Sequence, residues 1–157
     1  SAGEYGRFNL LAWDGEALAF ASNHPRTSHL TVSPGLHAMS NGAFDAPWPK
    51  SGLATRALAA WLESRNGGAD KIDRTALNPL FDALADTTVA PDAMLPNTGV
   101  GQELERSLSP PFVSGEQYGT RCSSVVLVGE EEIVFAERLF GPKGARNGES
   151  FLTLSRA

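Results

Sequence analysis

Short apolar runs separated by turn residues open the chain and predict an antiparallel β-sheet. Asp14-Gly15 stands between the first two runs, and this dipeptide tolerates the positive φ angles that a two-residue hairpin turn requires. Pro34-Gly35 separates the third run from the fourth, which leads into a polar loop at Asn41. The predicted strands are residues 8–13, 17–21, 28–33 and 36–40.

Helical periodicity replaces this pattern in the middle of the chain. Between residues 51 and 65 the apolar positions fall on one helix face. Asn66-Gly67-Gly68 follows, and both residue types are common at helix C-termini. A second helix is predicted over residues 79–86, with Asn78 as its N-cap and Pro79 as its first residue. The apolar positions of the first helix are Leu53, Ala57, Leu58, Trp61 and Leu62.

Strand patterns return in the last third of the chain. Gly129-Glu130-Glu131 joins the first two of these strands, which should therefore be antiparallel. Residues 125–128 are apolar on both faces, as expected of a strand that is covered on both sides. The order of strands, helices and strands favours an α+β domain. The predicted strands are residues 120–128, 133–140 and 151–154, and a short helix carrying Leu104 and Leu108 precedes them.

Composition and charge argue against some classes of function. The 157 residues suit one domain. A net charge of −5, with 13 scattered Lys and Arg, argues against a nucleic-acid-binding protein, which would carry a basic face. Apolar stretches such as residues 125–128 are too short to span a bilayer, so no transmembrane segment is expected. A single cysteine and the absence of an N-x-S/T site favour the reducing cytoplasm.

Two polar residues next to predicted strands are candidate catalytic residues. A carboxamide at Asn41 can donate hydrogen bonds to a developing oxyanion. The alternative is that Asn41-Gly42 is only a turn, because both residue types dominate turns. Arg121 enters an apolar strand and could hold a carboxylate in bidentate fashion. The alternative is an exposed Arg at the start of a strand.

The single cysteine is a weaker candidate. Strand alternation places Cys122 on the face opposite Arg121, so the neighbouring cation should point away from the thiol. A nucleophilic cysteine needs a nearby cation or base to lower its pKa. We therefore expect Cys122 to be a small, buried and inert residue.

Histidine and tryptophan residues provide candidates for ligand binding. His24, His29 and His37 are close in sequence but lack the spacing of a compact metal site, so no metal is predicted. His37 precedes Asn41 by four residues and is a candidate substrate-binding residue. Trp48 stands between two prolines and either lines a substrate pocket or plugs a loop.

Six short segments occur in a fixed order and are spread over nearly the whole chain. They are residues 8–11, 34–41, 47–50, 95–101, 118–121 and 137–140. Together they resemble the NRDE proteins, also called the transport and Golgi organisation protein 2 family. The chain has Asn97 and Cys122 where this family more often has Asp and Ser, and it lacks the family's Met-Cys start and Asn-Arg-Asp-Glu motif. We therefore expect residues 1–157 to be the C-terminal portion of a single NRDE-type domain, with residues 1–6 a tag or cleavage remnant and a flexible start.

The resemblance implies a fold and a chemistry. The family is similar to N-terminal nucleophile hydrolases of the bile-salt hydrolase and penicillin acylase type, which stack antiparallel sheets and helices in a four-layer αββα sandwich. In such enzymes an N-terminal Cys attacks an amide bond, and its α-amino group is the base. By this likeness Asn41 would stabilise the tetrahedral oxyanion and Arg121 would complete the charge environment of the Cys. The chain would be inactive without the missing N-terminal portion, and no cofactor is expected.

Two other functions stay open from the sequence. The resemblance also implies a binding or trafficking protein, because relatives in the family are linked to intracellular haem and lipid handling. Binding of haem or a lipid-like ligand would need a pocket but no nucleophile, and one of the three histidines could then ligate haem iron. The fold could also be kept without chemistry, since fold likeness does not decide function. Because a truncated sheet exposes its edges, we expect the chain to pair with the missing N-terminal portion or with a second copy in a homodimer.

Overall fold

The computed structural model describes residues 4–24, 26–65 and 72–156. The chain divides into two compact units, Ser1–Pro47 and Trp48–Ala157. Each unit holds a three-stranded antiparallel sheet. The predicted helix end at Asn66-Gly67-Gly68 lies outside the described residues.

The sheet of the first unit is a meander of three strands. These are β1 (Asn9–Trp13), β2 (Leu18–Ser22) and β3 (Ser28–Thr31), and each pairs with the next. The predicted hairpin is confirmed, but the connection runs from Asp14 to Ala17 and is not a two-residue turn. The Asp14 carboxylate explains the difference, because its Oδ1 accepts hydrogen bonds from the backbone N–H groups of Glu16 and Ala17.

The strand predicted at residues 36–40 is wrong. This segment has no strand partner and is part of an irregular loop. Its central residue, Ala38, forms its backbone hydrogen bonds within this loop. The Ala38 N–H donates to Asp45 Oδ1 over 2.7 Å, and the Asp45 N–H donates to the Ala38 carbonyl over 2.9 Å. Both groups that a strand ladder would use at Ala38 are therefore already satisfied.

The described helices belong to the second unit. They are α1 (Pro49–Ser64), α2 (Asn78–Leu84) and α3 (Gln102–Ser107). Pro49 occupies the first turn of α1, where its fixed φ angle is favourable and its missing N–H costs nothing. Asn78 is the first residue of α2 and not its cap. Its side chain is used elsewhere, because Asn78 Oδ1 accepts a hydrogen bond from Arg138 Nη2 over 2.8 Å.

The sheet of the second unit contains the last three strands in chain order. These are β4 (Cys122–Val128), β5 (Glu132–Phe140) and β6 (Arg146–Ser155). The predicted antiparallel pairing of β4 and β5 is confirmed. β6 begins earlier than expected, because residues before 151 continue the ladder to β5 through a register shift between Leu139 and Phe140.

Alternation along β4 gives this sheet one covered face and one exposed face. Ser123 and Val125 are buried, whereas Val126 is 55% exposed and Val128 is 46% exposed. Helix residues pack on the buried face and form the core of the second unit. The two-sided apolar pattern of β4 thus corresponds to one face under helices and one apolar face that stays open in this unit. The core residues are Trp61, Leu77, Leu80, Phe81, Val125, Val134 and Ala136.

The fold class expected from the sequence is confirmed at the level of α+β with antiparallel sheets. Among the described residues, every helix is too short or too polar to cross a membrane.

Candidate functional site

Residues 33–45 form a loop, here called the 33–45 loop, that follows β3 in the first unit. Two contacts attach it to the sheet of that unit. Asn9 Nδ2 donates to the Ser40 carbonyl over 2.8 Å. The Phe44 ring lies 4.7 Å from the ring of Phe20, which is only 2% exposed. The loop is therefore fixed to both β1 and β2.

His37 uses both ring nitrogens inside this loop. Its Nδ1 lies 2.6 Å from Asp45 Oδ2, and its Nε2 lies 2.8 Å from the Ser33 carbonyl oxygen. The hydrogen bond to the Asp45 carboxylate, and then that to Ser33, raise the pKa of His37 above its usual value. The hydrogen bonds from the Ala38 N–H and from His37 hold the pKa of Asp45 below its usual value.

Asn41 lies between the two attachment points of the loop, and its side chain is exposed. Its carboxamide has no hydrogen-bond partner within the described part of the chain. Neither Asn41 nor Gly42 has a positive φ angle. The residues of the loop that do are Gly35, at +148°, and Asp45, at +57°. Asn41-Gly42 is therefore not the tight positive-φ turn that these residue types often form.

Arg121 lies directly before β4, at the end of a tightly closed loop. The Thr120 N–H donates to the Val113 carbonyl over 2.8 Å, and the Val113 N–H donates to Thr120 Oγ1 over 3.0 Å. A Cβ at Gly119 would lie only 2.8 Å from the Val113 carbonyl oxygen, so glycine permits this closure. The Arg121 guanidinium is exposed, and within residues 4–24, 26–65 and 72–156 it forms no ion pair or hydrogen bond.

Trp48 is half-buried and precedes α1 as its N-cap residue. Its carbonyl accepts a hydrogen bond from the Gly52 N–H over 3.0 Å, and Lys50 Nζ lies 5.6 Å from the centre of its ring. Trp48 is thus ordered by the helix that follows it. Its predicted role in lining a substrate pocket stays a prediction.

The four candidate residues fall into two pairs. His37 and Asn41 share the 33–45 loop of the first unit, whereas Trp48 and Arg121 belong to the second unit. The other two histidines are apart from this arrangement, since His29 is exposed on β3 and His24 follows β2. Among the described residues no group of three His, Cys, Asp or Glu side chains could hold a metal ion.

The sequence model of the Transport and Golgi organisation 2 (TANGO2) family matches residues 1–142. The chain belongs to the TANGO2 family. It is 24% identical over 162 residues to the Transport and Golgi organization protein 2 homolog of Homo sapiens, a match that covers 93% of this chain and 55% of that protein. The Transport and Golgi organization 2 homolog of Mus musculus is 23% identical over 147 residues, covering 85% and 51%. The TANGO2-family chain spans about half the length of these curated relatives, and the family expected from the six segments is confirmed.

Cys122 differs from its sequence-based expectation in one respect. It is exposed, whereas a buried thiol was predicted, and that prediction was wrong. The reason is its position as the first residue of β4, on the face that the helices leave open. Alternation was predicted correctly, because its neighbour Ser123 is buried.

The segment at residues 95–101 of the TANGO2-family chain is ordered by a buried carboxylate. Glu105 is 7% exposed, and its Oε1 accepts hydrogen bonds of 2.6 Å from both the N–H and the hydroxyl of Thr98. Asn97 Oδ1 accepts the Gly99 N–H over 3.2 Å. A carboxylate oxygen could accept that bond equally well, so Asp would fit this position without loss of the contact.

Sequence reasoning missed Asp45, which organises the 33–45 loop. It stands eight residues after His37, a separation at which neither helix nor strand periodicity predicts contact. One weak signal was present, because Asp is among the residue types that tolerate a positive φ angle. A separation of seven residues likewise hid the pairing of Asp45 with Ala38.

Proposed function

We propose that this TANGO2-family chain is the C-terminal part of a cysteine-dependent amide hydrolase of the cytoplasm, inactive without its N-terminal portion. In this proposal the N-terminal portion supplies a nucleophilic Cys at its start. The complete fold is the four-layer αββα sandwich of N-terminal nucleophile hydrolases. Membership of the family and the α+β architecture with antiparallel sheets support the proposal.

The reaction proceeds through two tetrahedral intermediates. The Cys thiol gives its proton to its own α-amino group, and the thiolate attacks the amide carbonyl carbon. The C–N bond then breaks, the leaving amine takes the proton, and a thioester remains. Water hydrolyses the thioester, which releases the carboxylic acid and regenerates the thiol. The Asn41 carboxamide donates to the oxyanion of both intermediates.

The observation that carries the proposal is the unused carboxamide of Asn41 on an otherwise fixed loop. The carbonyl of its neighbour Ser40 accepts a hydrogen bond from Asn9. Asp45, the last residue of the loop, is hydrogen-bonded to Ala38 through both its backbone N–H and its carboxylate. An oxyanion donor works best when its position is set before the reaction and its N–H groups are not already spent. Within the described residues the N–H groups of the Asn41 side chain are not spent, and the contacts of Ser40, Ala38 and Asp45 restrain the backbone on both sides of it.

Three further residues have roles in the proposal. Arg121 provides a positive charge that favours the Cys thiolate, as an exposed guanidinium can. Trp48 contributes an apolar surface for the substrate, a small amide. That His37 binds substrate stays a prediction, and both its ring nitrogens are engaged within the loop.

The test uses the complete protein and two measurements. A panel of thiol-reactive amide analogues should label the N-terminal Cys, which mass spectrometry locates. Asn41→Ala should lower kcat by about 10²–10³-fold on an amide that the wild type hydrolyses. Asn147→Ala, at an exposed position of β6, is the matched control and should leave kcat unchanged. No labelling across the panel, or equal kinetics for the two variants, would contradict the proposal.

Exposed apolar residues favour a second candidate function, the binding of a lipid-like ligand or haem. In the first unit Leu10, Leu11 and Trp13 are 52%, 46% and 43% exposed on β1. Strand alternation places Leu11 and Trp13 on one face of β1 and Leu10 on the other. In this second proposal these exposed residues contact an apolar ligand, the N-terminal portion, or a second copy in a homodimer. Haem titration of the wild type, His24→Ala and His29→Ala separates haem from the others. A Soret band that is identical in all three proteins would exclude ligation by these histidines.

A further inference from the structure

Hydrogen-bond chemistry fixes the charge of His37 in this structure. The carboxylate of Asp45 and the carbonyl of Ser33 are both acceptors, and neither can donate. An ionised Asp45 and the Ser33 carbonyl, 2.6 Å from His37 Nδ1 and 2.8 Å from its Nε2, accept hydrogen bonds from an imidazolium that carries a proton on both ring nitrogens. The observed geometry therefore belongs to the imidazolium form of His37.

Asp45, the partner of His37 Nδ1, has a backbone conformation that its contacts support. Asp45 has a φ angle of +57°, a left-handed conformation that is uncommon outside glycine but that Asp adopts more often than most other residue types. The Ala38 N–H donates to its Oδ1 over 2.7 Å, while His37 Nδ1 donates to its Oδ2. A residue in such a conformation persists when its surroundings over-determine it, and such residues concentrate at functional sites.

Asn41 lies within the closed part of the loop. The ring bond joins His37 to Asp45, and the backbone pair joins Ala38 to Asp45, so the intervening residues, including Asn41, form a short closed segment. The Phe44 ring stacks on the His37 ring with 5.4 Å between centres and 26° between planes. An aromatic face at this distance also favours the cationic form of the imidazole.

We propose that His37 and Asp45 form a charged clamp that positions the Asn41 carboxamide, and that loss of the His37 proton releases it. The inference rests on the proposed function of Asn41. His37 and Asp45 are positioning residues, and the hydrogen ion is the regulator of the site.

The charged groups that act on the clamp are within the loop itself. Asp45 is the charged group that faces His37 among the described residues, and the Ser33 carbonyl and Phe44 ring are uncharged. The strands that hold the loop contribute Asn9 and Phe20, which do not titrate. One proton exchange at His37 and one at Asp45 therefore control the clamp.

The pH window follows from the direction of each shift. The pKa of His37 is raised above 6.5, so its contribution is complete below that pH and is lost as pH rises through the folded-state pKa. The pKa of Asp45 is lowered below 3.8, so its contribution is complete above that pH and is lost as pH falls through the folded-state pKa. The clamp is thus fully closed between these two pH values. When the pH rises from neutral, the clamp opens because His37 loses its proton.

The test measures the two residues directly in the complete protein by NMR. The ring nitrogens of His37, assigned by their absence in His37→Gln, are followed from pH 5 to pH 10 together with the side-chain amide of Asn41. We expect His37 to lose its proton above pH 6.5 and the Asn41 signals to shift at the same midpoint. A midpoint at or below 6.5, or Asn41 signals that stay fixed while His37 titrates, overturns the clamp.

Kinetics separate this inference from the proposed function. Asp45→Asn keeps a residue that tolerates the positive φ angle but removes the charge, and it should lower kcat up to about 100-fold with KM unchanged. It should also lower the midpoint of His37. Asp14→Asn, whose carboxylate accepts backbone N–H groups without a histidine, is the matched control. Coupled NMR midpoints without amide hydrolysis would refute the proposed function alone, whereas hydrolysis that needs Asn41 but ignores Asp45→Asn would refute the clamp alone.

Discussion

The two units of the chain obtain their order from different interactions. The second unit packs α1 and α2 against one sheet face, with Leu77 fully buried and Val134 1% exposed. In the first unit, Phe20 and Ser22 are the residues that are buried among those described. Its long loop is held by hydrogen bonds and an ion pair at Asp45. The second unit depends mainly on apolar burial, whereas the 33–45 loop of the first unit depends on polar contacts together with the Phe20–Phe44 ring contact.

This difference assigns different sensitivities to the two units. Apolar burial varies little with pH, whereas a hydrogen-bonded ion pair is lost when either partner changes its charge. The second unit should therefore respond to deletion of core atoms, and the 33–45 loop should respond to proton concentration. The candidate catalytic Asn41 lies in the unit that responds to protons.

Deleting the most buried aromatic ring among the described residues of the second unit should have the largest effect on stability. Phe81 is 2% exposed, and the Arg138 guanidinium stands 4.2 Å from the centre of its ring. Phe81→Ala should reduce the free energy of unfolding by about 3–5 kcal/mol, because a cavity replaces buried carbon. Urea unfolding followed by fluorescence of the buried Trp61 measures this loss. Leu62→Ala, at a 51% exposed position of α1, is the control and should be near neutral.

Phe20→Ala is the corresponding experiment in the first unit. Phe20 is 2% exposed and meets the Phe44 ring, which attaches the 33–45 loop. We expect a loss of about 3 kcal/mol, at the low end for such changes, because a small unit can partly collapse around the gap. Hydrogen exchange should show the loss in β1, β2 and β3 and not in β5. Equal loss of protection in both sheets would mean that the units unfold together, and the comparison would fail.

The periodicity of apolar residues allowed the helices and strands to be predicted, because the pattern of each element repeats over several residues. The apolar stripe of α1 and the turn between β4 and β5 are local signals of this kind. The 33–45 loop offered no such repeat. Its form depends on Asp45 returning to Ala38 and His37, and a strand was predicted where that loop stands.

The sequence allowed candidate site residues to be predicted only within the segments that resemble the family. Asn41 and Arg121 were identified by position, and their exposure in separate units became visible in three dimensions. The exposure of Cys122 also depended on which sheet face the helices cover, which β4 alone does not encode. Local patterns thus determine elements, whereas side-chain partners distant in sequence determine the site.

Order in the second unit also depends on one close backbone approach, which a methyl group should disturb. Gly119→Ala would place a Cβ 2.8 Å from the Val113 carbonyl oxygen, so the backbone must shift. We expect a loss of about 1–3 kcal/mol, the usual range for overpacking, and a displaced Arg121. Gly6→Ala has no atom within 4 Å of the added carbon and is the control. Thermal unfolding of both variants gives the comparison, and equal midpoints would show that the 113–120 loop tolerates the shift.

The second unit should be stabilised by a change inside α1. Gly52 has no positive φ angle, and the atom nearest to an added Cβ is the flexible Arg56 Nη1, at 3.2 Å. Gly52→Ala should raise the free energy of unfolding by about 0.5–1 kcal/mol, because alanine loses less backbone freedom in a helix. Urea unfolding measures the gain, and a decrease would show that Arg56 cannot move aside.

The smallest effect should come from an ion pair that resembles the clamp only in its distance. Lys143 Nζ lies 2.6 Å from Glu116 Oε1, yet these side chains are 69% and 70% exposed. Solvent screens such a pair, and holding two long side chains together costs conformational entropy. Glu116→Gln should therefore leave the unfolding midpoint unchanged, at low and at high salt. Asp45→Asn removes the same charge from a pair of similar length, but it should change both the His37 titration and the shape of the loop. If Glu116→Gln disturbed its unit as much as Asp45→Asn disturbs the 33–45 loop, distance alone would decide the strength of these ion pairs. The contrast between the two units would then be lost.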